Sequence, residues 1–451
     1  MILLVIFATI GMVGIFVLLR RLPIVAFFLA SFTFLPYLSM TWGDFRSGYL
    51  VIVFVCFALL VIAMQTSCFI VSTLKVRLNI ALVVFTLWIY VTSISNVNSI
   101  TNDSLAFIAI WSVIVIFYVL AGVLFRRMSL VRIRIEGDLV VKAIIFCGAM
   151  SCLIALLEQF EPNAVHQLYS PAVLDENIWG GRTVVSESLS LKRAGSIIGS
   201  PNAFGAFLVI SLVAVLIKTN VRTFVVSVPL LMLLSVGLVF SNSRGAMLGF
   251  AVAATIYLWV YGHRWLLSIG IGISAVLVAV GMLSTLTQSA YIPEKASMEL
   301  GGMMFLPDFL LERAYFWSFV LSSVFNGDVH LLIGYGVSNN VLAEAIEKKG
   351  AHSLIFSSLH FYGVIGLLLA INILRIFSRT ISQSMKFTRG YWAAETAFYS
   401  GVGLLVHSLV DDILLSNTAV MAIFMVLLLP VNALVRAQTK HINQNPGEVL
   451  R

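Results

Sequence analysis

TFVVSVPLLMLLSVGLVF (223–240), SNSRG (241–245) and AMLGFAVAATIYLWVY (246–261) follow one another directly. Each flanking run approaches the ~20 apolar residues that a helix needs to cross the hydrocarbon core of a bilayer. A backbone inside a bilayer must satisfy its own hydrogen bonds, so runs of this kind fold as helices. The sequence therefore predicts two membrane spans, at 223–240 and 245–261, joined by a tight polar break at Ser241-Asn242-Ser243-Arg244-Gly245.

The pattern recurs outward from this hairpin. Further spans are expected at 2–19, 23–41, 49–71, 79–95, 105–125, 139–157, 203–217, 266–287, 354–374, 391–410 and 413–433. The 451 residues are 60% hydrophobic and 11% charged, with mean hydropathy +1.03. The expected fold class is all-α, a polytopic helical membrane protein with about 12–13 transmembrane helices and two long outer segments. In this reading residues 1–157 hold the N-terminal helices and 158–202 the first long segment. Residues 203–287 hold the central helices, 288–353 the second long segment with short helices, and 354–451 the C-terminal helices and a cytoplasmic tail. No separate globular domain is expected. Met1 to Leu19 lacks a basic n-region and a small-residue cleavage site, so it reads as a retained span. Cys56, Cys68, Cys147 and Cys152 all sit in apolar runs and read as small hydrophobes, with neither a disulfide framework nor a zinc site implied.

Orientation follows from the basic residues, which concentrate in cytoplasmic loops. With the C-terminus inside, the inner loops and tail take 19 of the 28 Lys and Arg. Nine fall on the other face, among them Lys192, Arg193, Arg244 and Arg313, and most acidic residues join them there. The net charge of +8 is thus explained by inner loops facing anionic headgroups, and nucleic acid is not expected as a partner.

The two long outer segments exceed what packed helices need as connectors, and long loops on a rigid scaffold commonly carry function. The first is irregular, with Pro162, Asn163, Pro171, Gly180, Gly181 and Pro201 as breakers. In the second, Pro307 opens a helix through Arg313, Tyr315 and Trp317, and Asn340 to Lys349 forms another that stops at Gly350. His352 follows that stop. Lys192-Arg193, Arg244, Arg313 and His352 together form an anion-binding cluster on one predicted face.

Each residue also has a structural reading. Arg244 could snorkel at a span end, Arg193 could pair with Glu187 or Glu176, Arg313 could be an exposed helix residue, and His352 could anchor the next span. His360, roughly 80° round the helix from His352, reads as a hydrogen-bonded core histidine. His407 and the Asp411-Asp412 pair close the last outer hairpin, where they either steady the site or contact substrate. Tyr335 and Trp317 either stack on sugar rings or anchor the interface.

The arrangement resembles the O-antigen ligase and O-antigen polymerase superfamily. The resemblance rests on Arg193-Ala194-Gly195 with Ser200-Pro201-Asn202 and Gly205, on Ser243-Arg244-Gly245, and on Arg313 followed by aromatics. Gly334-Tyr335-Gly336, and His352-Ser353 with Gly363 and Gly366, complete it. It covers about residues 190–370; the N-terminal 150 add only spans. Many relatives carry His-Asn where this chain has His352-Ser353, and serine lacks the amide's paired donor and acceptor.

The resemblance implies an enzyme of the bacterial inner (cytoplasmic) membrane, with its active site on the periplasmic side. It would take a glycan from an undecaprenyl-pyrophosphate-linked donor to an acceptor hydroxyl, with no cofactor and no metal. No Asp-x-Asp motif, His/Glu ligand cluster or phosphate loop appears in the chain. Departure of pyrophosphate builds negative charge, which fixed guanidinium groups stabilise bidentately at a low-dielectric boundary. Arg193, Arg244 and Arg313 are assigned to that task, and His352 to activating the acceptor hydroxyl, with Tyr335, His407 and Asp411 as candidates for substrate contact.

The acceptor is either another lipid-linked glycan, for a polymerase of O-antigen or exopolysaccharide units, or lipid A-core, for a ligase. The outer loops lack a dense basic patch for a phosphorylated core, which favours the polymerase. Membrane lipid and a chain-length regulator are the other partners implied. Two rival classes differ in where they place charge. A different membrane glycosyltransferase fold would make Asp44 essential, and a transporter or flippase would place charges near the midplane.

Overall fold

The structure is a computed structural model. It describes residues 77–95, 102–126, 128–160, 201–219, 223–261, 353–387, 390–411, 413–414 and 418–444, with shorter pieces at 41–42, 45–46, 183–184, 191–192, 317–318, 320–322, 325–326 and 332–336. The helices are α1 Arg77–Ser95, α2 Asn102–Arg126, α3 Leu130–Phe160, α4 Pro201–Lys218, α5 Phe224–Ser241, α6 Arg244–Val260, α7 Leu354–Phe387, α8 Trp392–Val410 and α9 Thr418–Gln444. Two small antiparallel hairpins interrupt the helical pattern: β1 Thr41–Trp42 pairs with β2 Phe45–Arg46, and β3 Thr183–Val184 with β4 Leu191–Lys192. The fold is an all-α, multi-pass membrane bundle.

The nine expected spans that fall on described residues each coincide with a helix; those at 2–19, 23–41, 49–71 and 266–287 lie outside the described residues. Among the described residues six helices are long and apolar enough to cross a membrane: α1, α3, α4, α5, α7 and α9. α3, α7 and α9 extend well beyond their expected spans, α9 reaching Gln444. α3 begins at Leu130 and α7 runs to Phe387, because both continue as charged helix beyond the apolar run. In α3 this extension carries an i,i+4 pair, Arg132 Nε to Glu136 Oε1 at 3.6 Å.

α4 is the centre. Ala203 through Val215 are buried on every side of the helix, as expected when neighbours surround it completely. It packs on α3, α5, α6 and α8. Where α3 crosses it, Ser211 Oγ donates to the Ile144 carbonyl at 3.3 Å, and Gly148 leaves room for that serine. α6 and α8 approach closest through small residues, as membrane helices do where packing and not water drives association. A Cβ on Gly249 would lie 2.3 Å from the Gly403 carbonyl oxygen.

Polar contacts fix the direction of the bundle. At one end Trp392 Nε1 donates to the Ala214 carbonyl at 2.8 Å, Lys218 Nζ sits 4.8 Å above the Trp392 ring, and the Tyr261 hydroxyl donates to Glu395. The start of α4, the α5–α6 turn and the end of α8 meet at the opposite end, hereafter the Ser243 end. α7 runs antiparallel to α8: Ile381 lines one cavity with Phe398 and Gly401, and Ile373 and Leu374 line it with Leu405 and Leu414.

α7 is broken at Gly363, with φ 66° and ψ −171°. The break removes helical partners from the carbonyls before it, and other donors replace them. Tyr335 N–H reaches the His360 oxygen at 2.8 Å, Gly336 N–H the Phe361 oxygen at 2.9 Å, and Trp88 Nε1–H the Tyr362 oxygen at 2.9 Å. Irregular backbone is tolerated in a membrane bundle when protein satisfies it in this way. Segment 332–336 is thereby stitched between α1 and α7.

Candidate functional site

The site grows from the break between α5 and α6. Asn242 ends α5 in the left-handed region (φ 45°, ψ 35°), which asparagine tolerates better than most residues, and its N–H reaches the Val239 carbonyl at 2.9 Å. Ser241 Oγ donates to the Leu238 carbonyl at 2.6 Å and accepts from Ser243 N–H at 3.2 Å. Ser243 is extended and caps α6, its Oγ accepting from Ala246 N–H at 3.4 Å. Arg244 is therefore the first residue of α6, half-buried, while Ser241 and Ser243 beside it are buried. The dipole of α6 adds partial positive charge at its N-terminus to that of the guanidinium.

Beneath the turn, small residues let three helices close up. A Cβ on Gly205 of α4 would lie 2.8 Å from the Cβ atoms of Ser243 and Ala246, and one on Gly245 would lie 2.4 Å from His407 Cδ2. The His407 ring fills that space with 0% exposure. Its Nε2 lies 3.2 Å from Ser243 Oγ and 3.7 Å from Asp411 Oδ2. Asp411 is held in turn by its own N–H to the His407 carbonyl at 2.8 Å, and Leu414 N–H to Ser408 Oγ at 3.2 Å closes the turn that follows.

Serine, histidine and aspartate together invite comparison with a hydrolytic triad, but the geometry differs. A triad places the carboxylate on one ring nitrogen and the serine on the other. Here Nε2 faces both, and Nδ1 is buried without a hydrogen-bond partner among the described residues. The group thus orients side chains and lacks the relay of a serine nucleophile. Among the described residues, no three His, Cys, Asp or Glu side chains converge as a metal site.

The structure brings Arg244, His407 and Asp411 into one neighbourhood. Tyr335 stands on the α1–α7 side, its ring stacked on His360 at 5.0 Å and 29°, so one face is occupied. Trp317 stacks on Phe356 at 4.9 Å and 12°, and Ser353, buried, starts α7 by accepting from Ser357 N–H at 2.8 Å. Arg193, Arg313 and His352 lie outside the described residues, as do Asp44 and Asp412.

Residues 229–371 match the family described as O-antigen ligase. That match places this segment in the O-antigen ligase and polymerase superfamily. It spans Ser243-Arg244-Gly245, Arg313, Gly334-Tyr335-Gly336 and His352, and it ends before His407 and Asp411. A function of the ligase or polymerase type, acting on lipid-linked glycans, follows from it in general terms. No curated protein matches the chain.

One residue that builds the site, Gly249, stands outside the sequence motifs. Gly245 and Gly249 stand four apart in Gly245-Ala-Met-Leu-Gly249, a spacing of small residues that marks a close-packed helix face. Ser243 as a cap was legible from its type and place. Its contact with His407, across 164 positions, carried no local signal.

Proposed function

We propose that this chain is an inner-membrane glycosyltransferase with its active site at the Ser243 end, on the periplasmic face. Its donor is an undecaprenyl-pyrophosphate-linked glycan and its acceptor a sugar hydroxyl on a second lipid-linked glycan, so that repeat units of O-antigen or exopolysaccharide are polymerised. The observation that carries this reading is Arg244. An arginine opening a membrane helix, braced from behind by buried polar groups and lying within the family-matched segment, suits a pyrophosphate.

In the proposed step the acceptor oxygen bonds to the anomeric carbon as the bond from that carbon to the pyrophosphate oxygen breaks. His352 takes the hydroxyl proton, and Arg193, Arg244 and Arg313 hold the charge of the departing pyrophosphate. A single displacement inverts the anomeric configuration. Tyr335, His407 and Asp411 are assigned to shaping the site.

The ligase reading, with lipid A-core as acceptor, is favoured by the description of the matching family. One experiment separates the two. Purified full-length protein is given a lipid-linked repeat unit alone, and products are resolved by size. A ladder lost in His352→Ala and Arg244→Ala supports the polymerase; transfer only after lipid A-core is added supports the ligase. No transfer under either condition rejects both.

A further inference from the structure

We propose that His407 is a positioning residue for Arg244, acting through the Ser243 cap. Its role in transfer rests on the function proposed above; its role in placing Arg244 does not.

Arg244 adjoins the cap that fixes the start of α6. Ser243 Oγ accepts from Ala246 N–H at 3.4 Å, and the same oxygen lies 3.2 Å from His407 Nε2. A serine hydroxyl has one proton and two lone pairs, so both contacts can be made at once. The imidazole thus joins α8 to the cap itself, one residue before Arg244.

Packing leaves the ring little freedom. His407 has 0% exposure, Ser243 1% and Asp411 6%, so the three groups are enclosed and do not face the aqueous surface. On the α6 side, the missing Cβ of Gly245 makes room for the ring; on the α4 side, Gly205 lets that helix press against Ser243 and Ala246. One turn deeper, Gly249 and Gly403 hold α6 and α8 at backbone contact. Asp411 Oδ2 lies 3.7 Å from the same Nε2, while Nδ1 is buried without a hydrogen-bond partner among the described residues. A fully enclosed histidine acts on a surface reaction through what it touches, and it touches the cap.

Positioning predicts behaviour that mere bulk does not. His407→Leu keeps the volume and loses the polar contact, whereas His407→Gln retains a side-chain amide to reach Ser243 Oγ. The first test reads Arg244 directly and needs no turnover. Full-length protein in nanodiscs of phosphatidylethanolamine and phosphatidylglycerol is labelled with phenylglyoxal, and modification of Arg244 is followed by peptide mass spectrometry. Arg132, with a side chain 66% exposed at the other end of the bundle, is the internal reference. His407→Leu is expected to change the Arg244 rate by about threefold or more with Arg132 unchanged, and His407→Gln to return it close to wild type. An unchanged Arg244 rate in His407→Leu, or an equal change at Arg132, overturns the proposal.

The second test uses the lipid-linked repeat unit. His407→Leu is expected to lower kcat about tenfold with little change in KM, and to have no further effect in an Arg244→Ala background. An undiminished loss in that background overturns the proposal. A wild type that moves no glycan, with labelling that still responds at Arg244, rejects the proposed function and leaves the positioning intact.

Discussion

Gly249 of α6 and Gly403 of α8 meet backbone to backbone: a Cβ on Gly249 would lie 2.3 Å from the Gly403 carbonyl oxygen, and one on Gly403 would lie 2.9 Å from that of Gly249. The obstacle is main chain on both sides, so no rotamer change relieves it. Gly249→Val is expected to force the helices apart and to cost about 2–3 kcal/mol, the upper range for overpacking. Thermal unfolding of purified protein in detergent measures it. A melting temperature equal to wild type would show that α6 and α8 do not pack this way.

The break in α7 leads to a second prediction. Trp88 Nε1–H is the donor that replaces a helical partner for the Tyr362 carbonyl, at 2.9 Å. Trp88→Phe keeps an aromatic ring and removes the donor, and the loss of one such hydrogen bond costs about 0.5–1.5 kcal/mol. Gly363→Ala should be worse, because φ 66° is strained for any residue with a Cβ and that Cβ would lie 2.3 Å from the Leu332 oxygen. Thermal unfolding should rank the variants wild type, Trp88→Phe, Gly363→Ala in falling stability; Gly363→Ala at wild-type stability would rule out the kink.

These cases show how far the sequence could be read. The helices α4, α5 and α6 were legible because each is a continuous apolar run closed by polar residues or glycine, and the Ser241–Arg244 break was short enough to require a hairpin. The Gly363 break was not, because one glycine inside an apolar run gives no turn signature and its replacement donors, Trp88, Tyr335 and Gly336, come from distant segments. The place of Arg244 at the start of α6 was legible from the polar break between two apolar runs. Its support by His407 and Asp411 depends on contact between α6 and α8, which periodicity does not encode.

Arg244 itself supplies a test of charge against geometry. Arg244→Lys keeps the positive charge at the start of α6 but gives up the planar pair of donors that grips two phosphate oxygens. Arg244→Lys is expected to lower kcat about tenfold, and Arg244→Ala about a hundredfold or more, comparable to losing one preorganised donor from a site of developing charge. Initial rates of elongation on the lipid-linked repeat unit give both numbers. Equal rates for wild type and Arg244→Lys would mean that the residue acts as a point charge only.

His352 is expected to be neutral when it accepts the acceptor proton, and this fixes the sign of the pH dependence. As pH falls the base becomes protonated, and kcat/KM should fall with it. His352→Ala should lose about a hundredfold or more in rate, together with the acidic limb of the profile. Initial rates between pH 5 and 8, with a buffer series at constant ionic strength, test both halves. A variant that stays slow yet keeps the acidic limb would assign the titrating group elsewhere and leave His352 as an anchor for α7.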